Sequence, residues 1–361
     1  MTTRERIERQ MRLELVDRLP ILGGWLTSVE HYIELAGVSA EAYYADPVGV
    51  AAKAYAALHC DGIPSLHLPM PPDYSYYHAE HRRQQQQVVG REFPTPEAVL
   101  AYVESLPDPG ELPVVFDAQA FYDKTLADIR EHQRRFGDIV WMPANWQADG
   151  FFMWFETFGY SMFYLALGMY PEPMRRLFEY AAAEAFLRNQ VLARLYSEHG
   201  LCRLMLMGQD ICGQRGPTVS RKFLEWYFEL GKEAVRPLID GGFKLIWHSD
   251  GHVLPIVDLI LALGVHGFQG FQWETGTTIE KLARQRSVRG ERLLFFSGIS
   301  ISRTLIQGTP DDVRQDIERD IAATDGGKGL FLFTSNTILP DSPIANIRAA
   351  YDYAYQRRLQ A

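Results

Sequence analysis

The feature that most constrains this chain is an alternation: short apolar runs ending in small or polar residues are separated by longer amphipathic stretches. Such runs fit strands buried on both faces, and the stretches between them fit helices crossing back over a parallel sheet. Eight runs occur, at residues 19–25, 62–68, 138–145, 203–210, 243–249, 265–272, 292–299 and 329–335. They predict an α/β fold, a (β/α)8 TIM barrel formed by one domain over residues 1–361, with an N-terminal extension. The length suits this, since such barrels take about 250 residues or more.

The last five runs are each followed by a clear helix signal. Residues 220–239 read as a helix capped by Ser220, with Phe223, Tyr227 and Leu230 on one face. Residues 255–263 read as another, stopped by Gly264. Thr309-Pro310-Asp311-Asp312 supplies a cap, a proline at the first helical position and acids against the helix dipole, predicting a helix over 310–324. Residues 69–113 break the alternation and form an insertion after the second strand, either a surface excursion with a helix over 96–105 or a lid over the mouth. Gln84 to Gln87 within it is a low-complexity run.

The formal net charge of −9, without a long Lys and Arg run, argues against a nucleic-acid partner. Cys60, Cys202 and Cys212 are too scattered for a disulfide framework or a CxxC zinc pair, which fits a reducing, cytoplasmic setting. The charged N-terminus lacks the apolar core of a secretory signal, and no stretch reaches the roughly 18 apolar residues of a membrane span.

In a barrel, polar residues where strands end share one mouth. That position selects Asn145, Gln209, Asp210, His248, Asp250, Gln272, Glu274, Ser297, Ser335 and Asn336, with Trp25 closing the first run. The richest cluster is Trp247-His248-Ser249-Asp250-Gly251-His252, which sets imidazoles and a carboxylate at alternate positions. Imidazole and carboxylate can bind zinc with an open position, and Glu274 or Asp210 can complete the shell. The alternative, in which His248 is a hydrogen-bonded rim residue and Asp250 caps the helix near Leu254, stays open at this level. Asp210 runs into the glycine-rich loop Gly208 to Pro217, where Arg215 is either an anion contact or a partner of Asp210. Neither a P-loop, a dinucleotide fingerprint nor a serine elbow is present. The aromatic stretch Phe151 to Phe155 suits a core or subunit contact better than a pocket.

Four C-terminal motifs then align in order. They are Gly213-Gln214-Arg215-Gly216-Pro217, His248-Ser249-Asp250-Gly251, Gly298-Ile299 leading to Gly308-Thr309-Pro310-Asp311-Asp312-Val313, and Ser335-Asn336 through Pro340 and Asn346. In these the chain resembles the uroporphyrinogen decarboxylase superfamily, which holds porphyrinogen decarboxylases and methyltransferases working between corrinoid proteins and thiols. The resemblance implies a barrel, a pocket at the strand ends and a homodimer. It also implies differences. The arginine-rich segment that holds porphyrinogen carboxylates in the decarboxylase branch is replaced here by Gly23-Gly24-Trp25-Leu26-Thr27-Ser28-Val29-Glu30. The His-x-Cys pair and later Cys that bind zinc in the methyltransferase branch correspond to His248, Asp250 and Ser335.

The leading expectation is therefore metal-assisted methyl transfer on a small oxygen- or sulfur-bearing substrate, with a corrinoid carried by a partner protein. His248, Asp250 and Glu274 would hold zinc, Asp210, His248 and Glu274 would act in catalysis, and Trp25, Asn145, Gln209, Arg215, Gln272, Ser335 and Asn336 would line the substrate. The alternative is a metal-free decarboxylase or lyase, in which Arg215 anchors a carboxylate and Asp210 or His248 handles the proton. A third is a barrel that binds a ligand without catalysis.

Overall fold

The apolar runs do form a parallel sheet, and their lengths follow from where backbone donors are lost. A computed structural model describes residues 1–69, 92–142, 154–270 and 273–359. In chain order the strands are β1 Gly62–Ile63, β2 Val140–Trp141, β3 Leu204–Gly208, β4 Cys212–Gly213, β5 Gly216–Pro217, β6 Lys244–His248, β7 Gly267–Gln269, β8 Leu294–Ile299 and β9 Leu330–Thr334. The main sheet runs β3-β6-β7-β8-β9, parallel throughout, while β4 and β5 make a small antiparallel hairpin.

The first three runs yield less strand than their apolar character suggests. Residues 19–25 make only single parallel bridges, Ile21 to Leu332 of β9 and Leu22 to Gly62 of β1. β1 pairs in parallel with β2 for two residues each. Pro64 follows directly and cannot donate to a ladder. Gly24 has φ +119°, and a Cβ there would lie 1.6 Å from the Ser65 carbonyl oxygen, so the chains approach too closely for any side chain. These bridges extend the order from β9 through Ile21 and Leu22 to β1 and β2. Among the described residues no ladder joins β2 to β3.

Alternation along the strands divides the core in two. Leu204, Leu206, Ile246, Leu294, Phe296, Phe331 and Phe333 form one cluster with Leu22, Trp25, Val140 and Met142. Met205, Met207, Leu245, Trp247, Phe295, Leu330 and Leu332 point the other way and pack with the helices. The expected helices are present as Arg221–Asp240, capped by the Ser220 hydroxyl, and Pro310–Ala323, with a reciprocal capping box between Thr309 and Asp312. The buried face of the former is Leu224, Tyr227 and Phe228, with Phe223 and Leu230 at its margin. The predicted helix at 255–263 splits into a 3-10 turn, Leu254–Ile256, and Val257–Ala262. In the insertion Pro96–Glu104 is helical, and residues 70–91, including Gln84 to Gln87, lie outside the described part.

The N-terminal extension is the helix Thr3–Met11, which buries Arg6, Ile7 and Gln10. Gln10 Nε2 donates to the carbonyls of Gly327 (2.5 Å) and Leu330 (2.6 Å), at the start of β9. Arg6 reaches Asp61, just before β1. This helix thus covers the end where strands begin, and the end where they finish is left to the loops. None of the described helices is long and apolar enough to cross a membrane.

Candidate metal and active site

The strand ends converge on Asp210, His248 and Asp250. His248 ends β6 and shares its direction with Ile246, and Gly208 opposite it in β3 precedes Asp210 by two residues. One potential ligand atom from each of Asp210, His248 and Asp250 lies within 4.8 Å of the others. His248 Nε2 is 3.4 Å from Asp210 Oδ1, and that same oxygen accepts the Asp250 backbone N–H at 2.7 Å. Asn336 Nδ2 donates to Asp250 Oδ2. Asp250 Oδ1 is buried and has no hydrogen-bond partner among the described residues. Asp250 therefore does not cap the turn at Leu254, whose N-terminus has no side-chain cap.

The three groups set one another's protonation. Burial disfavours a charged His248, but the hydrogen bond and charge of Asp210, followed by the charge of Asp250, outweigh it and lift its pKa to about 9. Asp250 is raised by burial and by the Asp210 charge. Burial also pushes Asp210 upward, yet its contact with His248 wins and holds it below the usual carboxylate range. Without a metal the cluster holds an imidazolium against the Asp210 carboxylate, and a cation can replace the proton.

His248 is held from the other side as well. Its Nδ1 meets Gln269 Oε1, and the Gln269 amide nitrogen donates to the carbonyls of Thr334 (2.8 Å) and Ser335 (3.3 Å). Trp25 stands edge-on to the His248 ring at 5.5 Å and to His67 at 5.9 Å. Gly270 (φ +94°) leaves the room that the imidazole occupies, since a Cβ there would lie 2.8 Å from His248 Nδ1. Gly270→Ala is expected to cost about 1–3 kcal/mol through the strained backbone and to turn the His248 ring aside. Urea unfolding together with zinc titration measures both effects, and a variant as stable and as metal-competent as wild type rules out this packing.

The other residues selected by position separate. Glu274 is exposed, and its carboxylate accepts from the hydroxyls of Ser300 (2.8 Å) and Ser302 (2.9 Å); the clustered ligand atoms include Asp210 and not Glu274. Arg215 is exposed in the β4-β5 turn, and Asp210 pairs with His248 instead. Ser297 faces away from the mouth, because Phe296 takes the inner position, and its hydroxyl donates to the buried Asp320 at 2.6 Å. Ser335 Oγ accepts the Ile301 N–H at 3.1 Å, and Ser335 lines a cavity of about 250 Å3 with Trp273, Ser300 and Arg319. Gln209 is buried beside Asp210. Asn145, Gln272 and Phe151 to Met153 lie outside the described residues. Sequence reasoning passed over Gln269 and His67. Gln269 ends a strand, as His248 does, but lies inside an apolar run that continues past it to Gln272.

A parallel sheet with helices packed on one face defines an α/β fold, and an acidic, imidazole-bearing cluster at its strand ends is its candidate site. In fold the chain is similar to a methyltransferase from Methanosarcina mazei, at TM-score 0.64 and 16% identity, over 99% of each chain. No protein-family model matches the sequence, and no curated protein matches it.

Proposed function

We propose that this chain is a cytoplasmic methyltransferase-like enzyme on a closed (β/α)8 barrel, with zinc held by Asp210, His248 and Asp250. The observation that carries this is that Asp250, which clusters with His248 and Asp210, has a buried Oδ1 with no hydrogen-bond partner among the described residues. A cation supplies what that oxygen lacks, and one nitrogen with two carboxylates suits a catalytic zinc that keeps an open position. The similarity of fold to a methyltransferase supports the class of reaction. No thiolate enters the set: Cys212 is the nearby thiol, and burial with the Asp210 charge pushes its pKa up to about 12. This favours an oxygen-bearing substrate over the thiol chemistry of a sulfur-ligated zinc.

Zinc would polarise the substrate heteroatom as a Lewis acid. The chain would do the rest. Asp210 would orient the substrate and carry its proton, taking it from a hydroxyl that gains the methyl group or returning it to the oxygen that a methylated donor leaves, while Asn336 fixes Asp250 and Trp25 walls the His248 side of the mouth. The methyl group would pass to or from a corrinoid on a partner protein. One observation favours the lyase reading instead: a His248 that holds its proton to about pH 9 is equipped to protonate the carbon that loses carbon dioxide.

Metal analysis of protein purified without chelator decides between them. About one zinc per chain is expected in wild type and almost none in His248→Ala or Asp250→Ala. Zinc-loaded wild type should also methylate cob(I)alamin from a methylated donor, seen as a change in the corrinoid spectrum. A wild type that stays metal-free after zinc is added back removes the zinc mechanism and leaves carboxylated substrates to be screened for released carbon dioxide.

A further inference from the structure

We infer that Gln269 is a positioning residue that keeps the proton of His248 on Nδ1 and so makes Nε2, the nitrogen turned to Asp210 and the ligand cluster, the one that gives up its proton to a metal. The argument starts from the amide. Gln269 is 1% exposed, so water cannot serve its two ends. Its nitrogen faces two carbonyl oxygens, Thr334 O and Ser335 O, which only accept. The reverse orientation would set Oε1 against both of them and leave the buried NH2 pointing at the ring. The end that meets His248 is therefore Oε1, and an amide oxygen can only accept. Nδ1 must donate.

The backbone enforces this meeting. His248 and Gln269 are register partners in β6 and β7, at the inward positions that follow Ile246 and Gly267. The absence of a Cβ at Gly270 lets the ring reach that amide. With Nδ1 held by the amide, Nε2 is the nitrogen that faces Asp210 Oδ1, at 3.4 Å: it donates its proton there when no metal is bound, and its lone pair is the one a metal would take. A metal ligand histidine is oriented by the hydrogen bond of its other nitrogen, and here a neutral amide does this without adding another negative charge to an acidic cluster.

The inference about the proton stands alone, and its consequence for metal affinity rests on the zinc reading above. Protein labelled with 15N-histidine reports the first, since couplings to the two ring protons tell the nitrogens apart and His248→Gln identifies the signal. In metal-free wild type at pH 10, and in the zinc-loaded form, the protonated nitrogen is expected to be Nδ1. In Gln269→Met the neutral ring is expected to move its proton to Nε2, and zinc affinity should fall about 10–100-fold in chelator competition. A wild-type proton on Nε2 overturns the inference whatever the variant does. Weaker zinc binding in Gln269→Met with the proton unmoved reduces Gln269 to packing. A wild type that binds no zinc removes the metal reading, while the position of the proton in the metal-free protein still decides this one.

Discussion

Asp61→Ala is expected to destabilise the fold by about 3–5 kcal/mol, because it strands buried positive charge. Asp61 is fully buried and accepts from Arg6 Nη1 at 2.7 Å, from Arg18 Nη1 at 2.6 Å and Nη2 at 3.1 Å, and from the Ile21 N–H at 2.8 Å. Arg6 and Arg18 are each 5% exposed, so neither can recover hydration when the carboxylate is removed. The same carboxylate ties the N-terminal helix to the bridge strand at Ile21 and to β1, so three segments loosen together. Asp17, whose pKa its hydrogen bond to Arg6 lowers to about 2, is only partly buried and provides the control. Asp17→Ala should cost about 1 kcal/mol. Urea midpoints of the three proteins test this, and a loss below about 1 kcal/mol for Asp61→Ala would show that the arginines are satisfied elsewhere.

Metal-free protein is expected to lose stability as pH rises from about 6.5 to 9, by roughly 3 kcal/mol. The sign follows from His248. Its folded pKa of about 9 exceeds the unfolded value of about 6.5, so the folded state binds the extra proton throughout that window. The stabilisation is fully present below the unfolded pKa and is lost as pH climbs through the folded one. Asp250, also raised, acts in the same direction at lower pH, by making the folded state hold a proton the unfolded chain has released. His31, His67 and His266 are lowered by burial, and their effect falls below this window, where stability drops as pH falls. Asp210→Asn removes the largest group that holds His248 charged and leaves mainly the Asp250 charge against burial, so its pKa should fall and the loss should shrink. Urea midpoints in chelator at pH 6, 7.5 and 9 read the slope. A wild-type profile that is flat across the window, or one that Asp210→Asn leaves unchanged, contradicts the cluster as described.

The architecture was largely written in the apolar runs. Runs 203–210, 243–249, 265–272, 292–299 and 329–335 each contain a strand of the main sheet, in sequence order and in parallel. Runs 19–25, 62–68 and 138–145 name the right segments, but Pro64 and the close approach at Gly24 limit them to bridges and two-residue ladders. Hydrophobicity reports burial on both faces and carries no record of a missing donor unless each proline and glycine is read for it.

The site was legible in part. Alternate spacing marked His248 and Asp250, and the strand end marked Asp210. What the spacing left open was which acid stands with them: Glu274 is satisfied by Ser300 and Ser302, while Asp210 meets His248 across the β3-β6 pair. Ser297 and Phe296 are neighbours in sequence, and only the pleat decides that the phenylalanine faces inward and the serine meets Asp320.

By itself the sequence determined the class of fold, the positions of the strands, the caps of the helices and the residue types at the strand ends. These are local properties, set by periodicity, by proline and glycine geometry and by side chains that bond their own backbone. The tertiary structure decided which of those residues meet. Asp210 and His248 are 38 residues apart and Gln269 and Thr334 are 65 apart, and each pair is joined only because parallel strands bring their C-terminal ends to one level. The protonation of His248 and the unused acceptor of Asp250 Oδ1 belong to that meeting, since both depend on burial and neighbouring groups that no local stretch of the chain contains.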